Sequence, residues 1–282
     1  MFNSIYIFGT GMMGGSLACS IKQAKVANKI YGFDREIKNL KYAKKNKIIN
    51  DYDSKDFKLL SKADLIIICT PLSSYKKVFG IINKHKKDDA IVTDIGSAKS
   101  DIIKLSSKLL KNNNQCFIGS HPLAGKEKST INNHDKDMYK NSVILLTPTS
   151  KTDKKLNTSV CEFWSSLKCQ VLSIEPEVHD LVMSQTSHLP HLVSFALVNI
   201  ILNSKSIKNI KAYTGGGFKD FARLAHSDSL MWKDICWSNK KNITKSIILL
   251  IKELQDIKKI INRNDSSLFK YLKDTKIKLN KK

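Results

Sequence analysis

A glycine-rich segment that directly follows the first apolar run is the feature that most constrains the fold. Residues 4–8 have the composition of a buried strand, residues 9–14 read G-x-G-x-x-G, and residues 15–22 have a helical pattern. A strand, this motif and a helix, in that order, form the phosphate-binding turn of a dinucleotide-binding βαβ unit. The helix N-terminus then offers free N–H groups and the positive end of its dipole to a pyrophosphate.

A second predicted strand, residues 29–33, is followed directly by an acid. Asp34 lies about 20 residues after the last glycine of the motif, where a carboxylate accepts hydrogen bonds from the ribose hydroxyls of NAD and repels a 2′-phosphate. Arg35 would tolerate that phosphate, so NAD is preferred over NADP without excluding it. The expected cofactor contacts are Gly9, Gly11, Met12, Met13, Gly14, Asp34 and Arg35, with Thr70 and Pro71 after a later strand.

Further strands follow at the spacing of an α/β fold. They are expected at residues 64–69, 90–94, 116–119, 143–147 and 170–174. Several are continuous apolar runs, as in parallel strands buried on both faces. The fold class is therefore α/β, with an N-terminal Rossmann-type dinucleotide-binding domain. Ligands in such folds bind beyond the carboxyl ends of the strands, so polar groups at those ends are expected to face the cofactor cleft.

The second half of the chain has helical patterns. One helix is expected from Pro176 to about residue 203, with a kink at Pro190, and residues 230–261 form another. From residue 270 the lysine-rich chain is expected to be a loose solvated tail. We predict a nucleotide domain at residues 1–174 and an all-helical domain at residues 175–282. The apolar surface of the helical domain favours dimerisation through it.

The formal net charge is +23, which raises the question of nucleic-acid binding. Of the 48 basic residues only Arg35, Arg223 and Arg263 are arginines, and the 48 − 3 = 45 lysines are spread along the chain. This pattern favours a solvated surface over a nucleic-acid site. No apolar run approaches the roughly 20 residues of a membrane span. The six cysteines form no C-x-x-C pair, which favours reduced thiols in a cytoplasmic protein, and no metal-binding pattern is present.

His121 is the candidate general base. It follows a strand in a Gly-Ser-His-Pro turn, so its imidazole is expected to point into the cofactor cleft and to take a proton from a hydroxyl as hydride leaves the same carbon. No G-x-S-x-G elbow indicates a hydrolase. Ordinary surface or core positions are expected for four other histidines, His85, His134, His179 and His226.

Six blocks in order resemble the prephenate dehydrogenase family, including its arogenate-using relatives: GTGMMGGS, ICTP, TDIGSAK, GSHPLAGKEKS, SHLPH and GGGFKDFARLAHSDSLMWKDI. The resemblance spans residues 1 to about 235. It implies a nucleotide-binding domain, an all-helical dimerisation domain, and NAD-dependent oxidative decarboxylation of prephenate to 4-hydroxyphenylpyruvate in tyrosine biosynthesis.

The resemblance also implies roles for single residues. His121 matches the catalytic histidine that hydrogen-bonds the ring hydroxyl of the substrate, and Ser97 matches the serine that helps to orient both. Arg223 matches the arginine that binds a substrate carboxylate, which its planar fork suits better than a lysine would. The other expected substrate-binding residues are His188, His191, Glu127, Asp220 and Trp232.

The sequence leaves some alternative functions open. Arogenate dehydrogenase is the nearest, and Lys126, which replaces the small hydroxyl residue usual in the family, bears on that preference. Another two-domain hydroxy-acid dehydrogenase, or a basic binding protein on a nucleotide fold, fits less well. Since the chain ends soon after the helical part, tyrosine feedback through a separate domain is not expected.

Overall fold

The computed structural model describes residues 2–110, 116–125, 130–204 and 214–281. An eight-stranded sheet has the order β3-β2-β1-β4-β5-β6-β7-β8. Strands β6 and β7 pair antiparallel, and the other neighbouring pairs run parallel. The strands are β1 (Phe2–Phe8), β2 (Ala27–Phe33), β3 (Asp51–Tyr52), β4 (Leu65–Ile68), β5 (Ile91–Asp94), β6 (Phe117–Pro122), β7 (Val143–Thr147) and β8 (Gln170–Ser173).

Helices cover both faces of the sheet, and the described residues after β8 contain helices but no strand. The helices are α1 (Met12–Gln23), α2 (Ile37–Lys45), α3 (Tyr75–His85), α4 (Ser100–Leu109), α5 (Lys154–Ser166), α6 (Pro176–Met183), α7 (Leu189–Leu202), α8 (Gly216–Ala225), α9 (Ser229–Ser238), α10 (Lys240–Arg263) and α11 (Ser267–Asn280). The fold class expected from the sequence, a Rossmann-type α/β domain followed by a helical domain, is confirmed. Within the described ranges, no helix has the length and apolar character that crossing a membrane requires.

The core has two layers because successive side chains of a strand point to opposite faces. Ile5 and Ile7 of β1 pack in a cluster with residues of α1 and α5, whereas Tyr6 and Phe8 pack with residues of α3. All four side chains are fully buried. The sheet is therefore covered on both faces, as the apolar strand sequences indicate.

The helical half departs from the sequence-based expectation at three places. A π-helical turn, Ser184–His188, precedes Pro190, so the helix widens before the proline. Asn239 separates α9 from α10 within the stretch expected as one helix. The expected loose tail is wrong: Asn264 ends α10 in the left-handed conformation (φ 49°) and α11 packs back on α10.

The glycine-rich turn is packed backbone against backbone. Gly9 has φ +88°, and a Cβ there would lie 2.7 Å from the carbonyl oxygen of Cys69. A Cβ on Gly14 would lie 1.9 Å from the carbonyl oxygen of Gly9. Only glycine fits this approach, so the first turn of α1 lies directly against the end of β1.

A buried ion pair ties the ends of β5 and β6 together. The Nζ atom of Lys99 lies 2.5 Å from Oδ2 of Asp94 and donates to the carbonyl oxygen of Ser120 at 2.8 Å. Asp94 also accepts from the Tyr75 hydroxyl at 2.9 Å and from the Ser120 N–H at 3.0 Å. Because neither side chain is exposed to water, the charge of Lys99 is neutralised by Asp94 and that of Asp94 by Lys99.

Gly14→Ala is expected to destabilise the protein by about 3 kcal/mol, because the new methyl group forces the backbone of the turn to move. Thermal denaturation should show a lower Tm, by roughly 6–12 °C. Gly80→Ala is the matched control: Gly80 lies in α3 with no atom within 4 Å of the added Cβ, and this change should stabilise by about 0.5–1 kcal/mol. Equal Tm values for the two variants would contradict the packing described for Gly14.

Lys99→Met is expected to cost about 3–5 kcal/mol of unfolding free energy, because it leaves the Asp94 carboxylate buried without a counter-charge. Denaturant unfolding measures this loss. The control is Lys259→Met, which removes an exposed pair with Asp256 at 3.0 Å and should cost less than about 1 kcal/mol. A Lys99 variant no less stable than the control would show that the buried pair does not hold the strand ends.

Candidate active site

The N-terminus of α1 is free to receive an anion. Gly11 caps the helix, and within this fully described helix no side chain caps the first turn and no acidic residue lies in it. The first N–H groups therefore keep their capacity to bind phosphate oxygens. Met12 and Met13 follow in the same turn. The turn has the backbone shape and the open donors that a dinucleotide pyrophosphate requires.

Asp34 is held beside this turn at the end of β2. Its carboxylate accepts from the N–H of Thr10 at 2.8 Å and from the N–H of Glu36 at 2.8 Å. These bonds orient the carboxylate next to the glycine-rich turn, where an acid selects a ribose with free hydroxyls. The Arg35 side chain is 89% exposed and lies 3.6 Å from the Glu36 carboxylate, so it is directed to solvent. The residues present fit NAD.

The loop after β4 joins the two halves of the chain. Thr70 and Pro71 lead into a short 3-10 turn, Leu72–Ser74, and the Thr70 hydroxyl accepts from the hydroxyl of Ser74 at 2.8 Å. The N–H of Ser73 donates to Oδ2 of Asp234 in α9 at 3.0 Å. A buried carboxylate of the helical half therefore caps the loop expected to line the cofactor site.

His121 lies in β6 and contacts a second histidine. Its Nδ1 atom is 2.8 Å from Nε2 of His179 in α6. The Nδ1 atom of His179 is in turn 2.9 Å from Oδ1 of Asp180. His121 is 8% exposed, and His179 is fully buried. The imidazole of His121 is therefore anchored through Nδ1, and no described residue forms a hydrogen bond with its Nε2 atom.

Burial keeps His121 neutral. Burial lowers the pKa of His121 well below its usual value of 6.5, and the positive forms of His179, Lys99 and His188 add to this effect. Burial likewise lowers the pKa of His188, to about 4. A neutral imidazole at neutral pH can accept a proton, which an imidazolium cannot.

Ser97 and His188 lie together where the two halves meet. Ser97 follows β5, is half-buried, and its backbone lies against the His188 ring. The Nδ1 atom of His188 is 3.2 Å from the side-chain amide of Asn239, which also donates to the carbonyl oxygen of Asp180 at 2.6 Å. The Nε2 atom of His188 is buried and has no hydrogen-bond partner among the described residues.

An aromatic stack continues the site into the helical half. The rings of His191 and Trp232 stack with centroids 4.0 Å apart, and His188 meets the same indole edge-on at 6.0 Å. Burial lowers the pKa of His191, and the charge of Arg223 in α8 adds to this effect. The structure thus brings four of the expected substrate-binding residues, His188, His191, Arg223 and Trp232, to one side of the helical half.

Of the other two expected substrate-binding residues, the structure describes one. Asp220 lies on α8 and is exposed. Glu127 lies outside the described residues, as does Lys126. Across the described ranges, no group of three or more His, Cys, Asp or Glu side chains is arranged to hold a metal ion.

Sequence reasoning missed four residues that contact the site. His179, expected at an ordinary surface or core position, is buried against His121, with Asp180 behind it. Lys99 and Asn239 hold neighbouring groups. The adjacent His-Asp pair in the first turns of α6 was the signal of this arrangement in the sequence.

Comparison with known proteins identifies both halves of the chain. Residues 17–173 match the family model described as prephenate dehydrogenase, nucleotide-binding domain, and residues 175–274 match the prephenate dehydrogenase dimerization domain. The prephenate dehydrogenase of Bacillus subtilis is 30% identical over 279 residues, which are 98% of this chain and 75% of that relative.

Solved structures show the same likeness. The crystal structure of prephenate dehydrogenase from A. aeolicus, in complex with hydroxyphenyl propionate and NAD+, is 35% identical, with a TM-score of 0.92 over 100% of this chain and 98% of that one. Synechocystis arogenate dehydrogenase is 26% identical, with a TM-score of 0.83 over 99% of each chain.

With a nucleotide-binding half and a helical half that each match the corresponding family model, and a relative 30% identical over nearly the whole of this chain, the chain belongs to the prephenate dehydrogenase family.

Proposed function

We propose that this chain is an NAD-dependent oxidoreductase that converts prephenate to 4-hydroxyphenylpyruvate, a step of tyrosine biosynthesis. The observation that carries the proposal is a neutral, buried histidine, His121, at the carboxyl edge of a dinucleotide-binding sheet. Family membership supports the reaction, and the NAD+ complex of the A. aeolicus relative supports the cofactor.

The cofactor is assigned to the glycine-rich turn and its neighbours. The pyrophosphate is held by the N–H groups of Gly11, Met12 and Met13, with Gly9 and Gly14 allowing its approach. Asp34 accepts from the ribose hydroxyls and favours NAD over NADP, with Arg35 beside it. Thr70 and Pro71 line the same cleft. Bound NAD+ supplies the hydride acceptor.

The chemistry then requires a base at the ring hydroxyl. His121 accepts the hydroxyl proton as hydride leaves the same carbon, and Ser97 orients the hydroxyl. The carboxylate on the opposite ring carbon departs as carbon dioxide, and its bonding electrons complete the aromatic ring. Because aromatisation drives the step, the protein mainly positions groups and stabilises charge.

The helical half is assigned to the rest of the substrate. Arg223 binds a substrate carboxylate through its two-pronged guanidinium. His188 and His191 bind beside it, and the Trp232 stack supports His191. Glu127 and Asp220 are proposed to act with the arginine in ordering the pocket. Together these residues place the reacting ring carbon against His121.

Arogenate is the second candidate substrate. It differs from prephenate only in carrying an amino group where prephenate has a keto group, so the same base and the same carboxylate clamp serve both. The likeness to Synechocystis arogenate dehydrogenase favours keeping this candidate.

We also propose the organisation of the chain. The nucleotide domain comprises residues 1–174 and the helical domain residues 175–282, since β8 ends at Ser173 and α6 begins at Pro176. A homodimer through the helical domain is supported by the dimerization-domain match and by exposed apolar side chains on α10 and α11 such as Ile248, Leu249, Phe269 and Leu272. Six unpaired thiols support a cytoplasmic location.

The experiment that tests the proposal mixes the purified protein with prephenate or arogenate and with NAD+ or NADP+, and follows absorbance of the reduced cofactor. Reduction with prephenate and NAD+ is expected. His121→Asn should still bind NAD+ but lose turnover by about 10²–10⁴-fold, because the base is gone. If only arogenate supports reduction, arogenate replaces prephenate as the assigned substrate. If folded protein reduces the cofactor in none of the mixtures, the proposed function is overturned.

The pH profile provides a separate prediction. Because the pKa of His121 lies below 6.5, the base stays neutral in mild acid. A plot of kcat/KM against pH should therefore remain on its plateau down through pH 6.5 and fall only in more acidic solution. Circular dichroism at each pH is needed, since buried histidines with lowered pKa values also make the fold less stable in acid. A limb centred above pH 6.5 would contradict a buried neutral base.

A further inference from the structure

Three buried side chains form a continuous hydrogen-bonded line that ends at the base. The line runs from Nδ1 of His121 to Nε2 of His179 at 2.8 Å, and from Nδ1 of His179 to Oδ1 of Asp180 at 2.9 Å. Exposure is 8% for His121, 0% for His179 and 1% for Asp180. Because water is excluded, each hydrogen in the line has to lie between the two protein atoms that share it.

Asp180 fixes one end of the line as an acceptor. Its Oδ1 also accepts from the N–H of Lys99 at 2.8 Å, and its Oδ2 accepts from the N–H of Ser100 at 2.9 Å. Burial acts to raise the pKa of Asp180, but the hydrogen bonds from His179, Ser100 and Lys99 outweigh it and leave the pKa below its usual value. A carboxylate has no hydrogen to give, so the hydrogen it shares with His179 belongs to the histidine.

The hydrogen positions along the line then follow in order. His179 carries its hydrogen on Nδ1, and because burial lowers its pKa the ring is neutral, with a bare Nε2. The facing atom, Nδ1 of His121, therefore has to donate. A neutral His121 with a hydrogen on Nδ1 has its lone pair on Nε2, the one nitrogen that can take a proton from a substrate.

We propose that His179 is a positioning residue that fixes His121 in the tautomer able to act as a base, with Asp180 fixing His179 in the same way. This inference rests on the proposed function of His121. When Nε2 of His121 takes up a proton, both existing hydrogens of the line stay in place and the Asp180 carboxylate partly offsets the new charge. The charge of Lys99 opposes that new charge, His188 is neutral at neutral pH because its pKa is about 4, and the carboxylate of Asp94 favours a positive charge on His179.

Two substitutions at one position separate the two hydrogen bonds of His179. His179→Asn puts an amide nitrogen near the place of Nδ1, so it keeps a donor to Asp180 but loses the acceptor for His121. His179→Gln puts an amide oxygen near the place of Nε2, so it keeps the acceptor for His121. Both variants remove the same ring, and thermal denaturation of each checks that the fold is kept.

The first measurement is nitrogen NMR of the full chain labelled with ¹⁵N-histidine, with His121 assigned by comparison with His121→Asn. We expect the wild type and His179→Gln to show His121 protonated at Nδ1 and bare at Nε2, and His179→Asn to show a mixture of tautomers. A wild-type His121 protonated at Nε2 would overturn the proposal even if neither variant folded, and so would a His179→Asn spectrum identical to that of the wild type.

The second measurement is steady-state kinetics with prephenate and NAD+. His179→Asn should lower kcat by about 10–10²-fold, a part of what general-base catalysis supplies, and leave both KM values within about twofold. His179→Gln should recover most of the lost kcat. A general structural defect would instead affect both variants alike and raise KM, which would overturn the proposal. If prephenate is not oxidised at all, the proposed function fails, whereas the NMR result still decides the tautomer.

Discussion

The ion pair between Asp94 and Lys99 is the contact on which the arrangement of the site depends. A carboxylate at the end of β5 is taken fully out of water, and the lysine that neutralises it also binds the carbonyl oxygen of Ser120 in β6. Because His121 is the next residue, the pair fixes the position at which β6 delivers its imidazole. The hydroxyl of Tyr75, in α3, donates a hydrogen bond to the same carboxylate. These buried hydrogen bonds therefore hold the edge of the sheet that carries His121.

The helical half supplies the groups that complete this edge. The run from α6 through the π-helical turn to α7 carries His179, His188 and His191, and such turns are frequent at functional sites. Asn239, at the break between α9 and α10, holds both His188 and the backbone of α6. The proposed site therefore combines the proposed base from the sheet with the proposed ligand-binding side chains from the helices, and neither half contains all of these residues.

Local patterns in the sequence predicted the glycine-rich turn, the acid after β2 and most strands, because each depends on residues near in the chain. The contact between His121 and His179 spans 58 residues, and no local pattern reports such a pairing. The segment after residue 270 looked solvated because of its lysines. Its packing depends on the reversal at Asn264 and on distant contacts such as the Tyr271 hydroxyl to Glu253 at 2.6 Å.

Asp180 belongs to two systems at once. Its oxygens accept from the N–H groups of Lys99 and Ser100, which joins α6 to the start of α4, and the same charge supports the histidine pair. Thermodynamic linkage requires that such effects be reciprocal. Any change that loosens the packing of α6 on α4 must alter the proton affinity of the pair, and proton uptake must alter that packing by the same free energy. Proton transfer in the site and cohesion between the two halves are thus coupled equilibria.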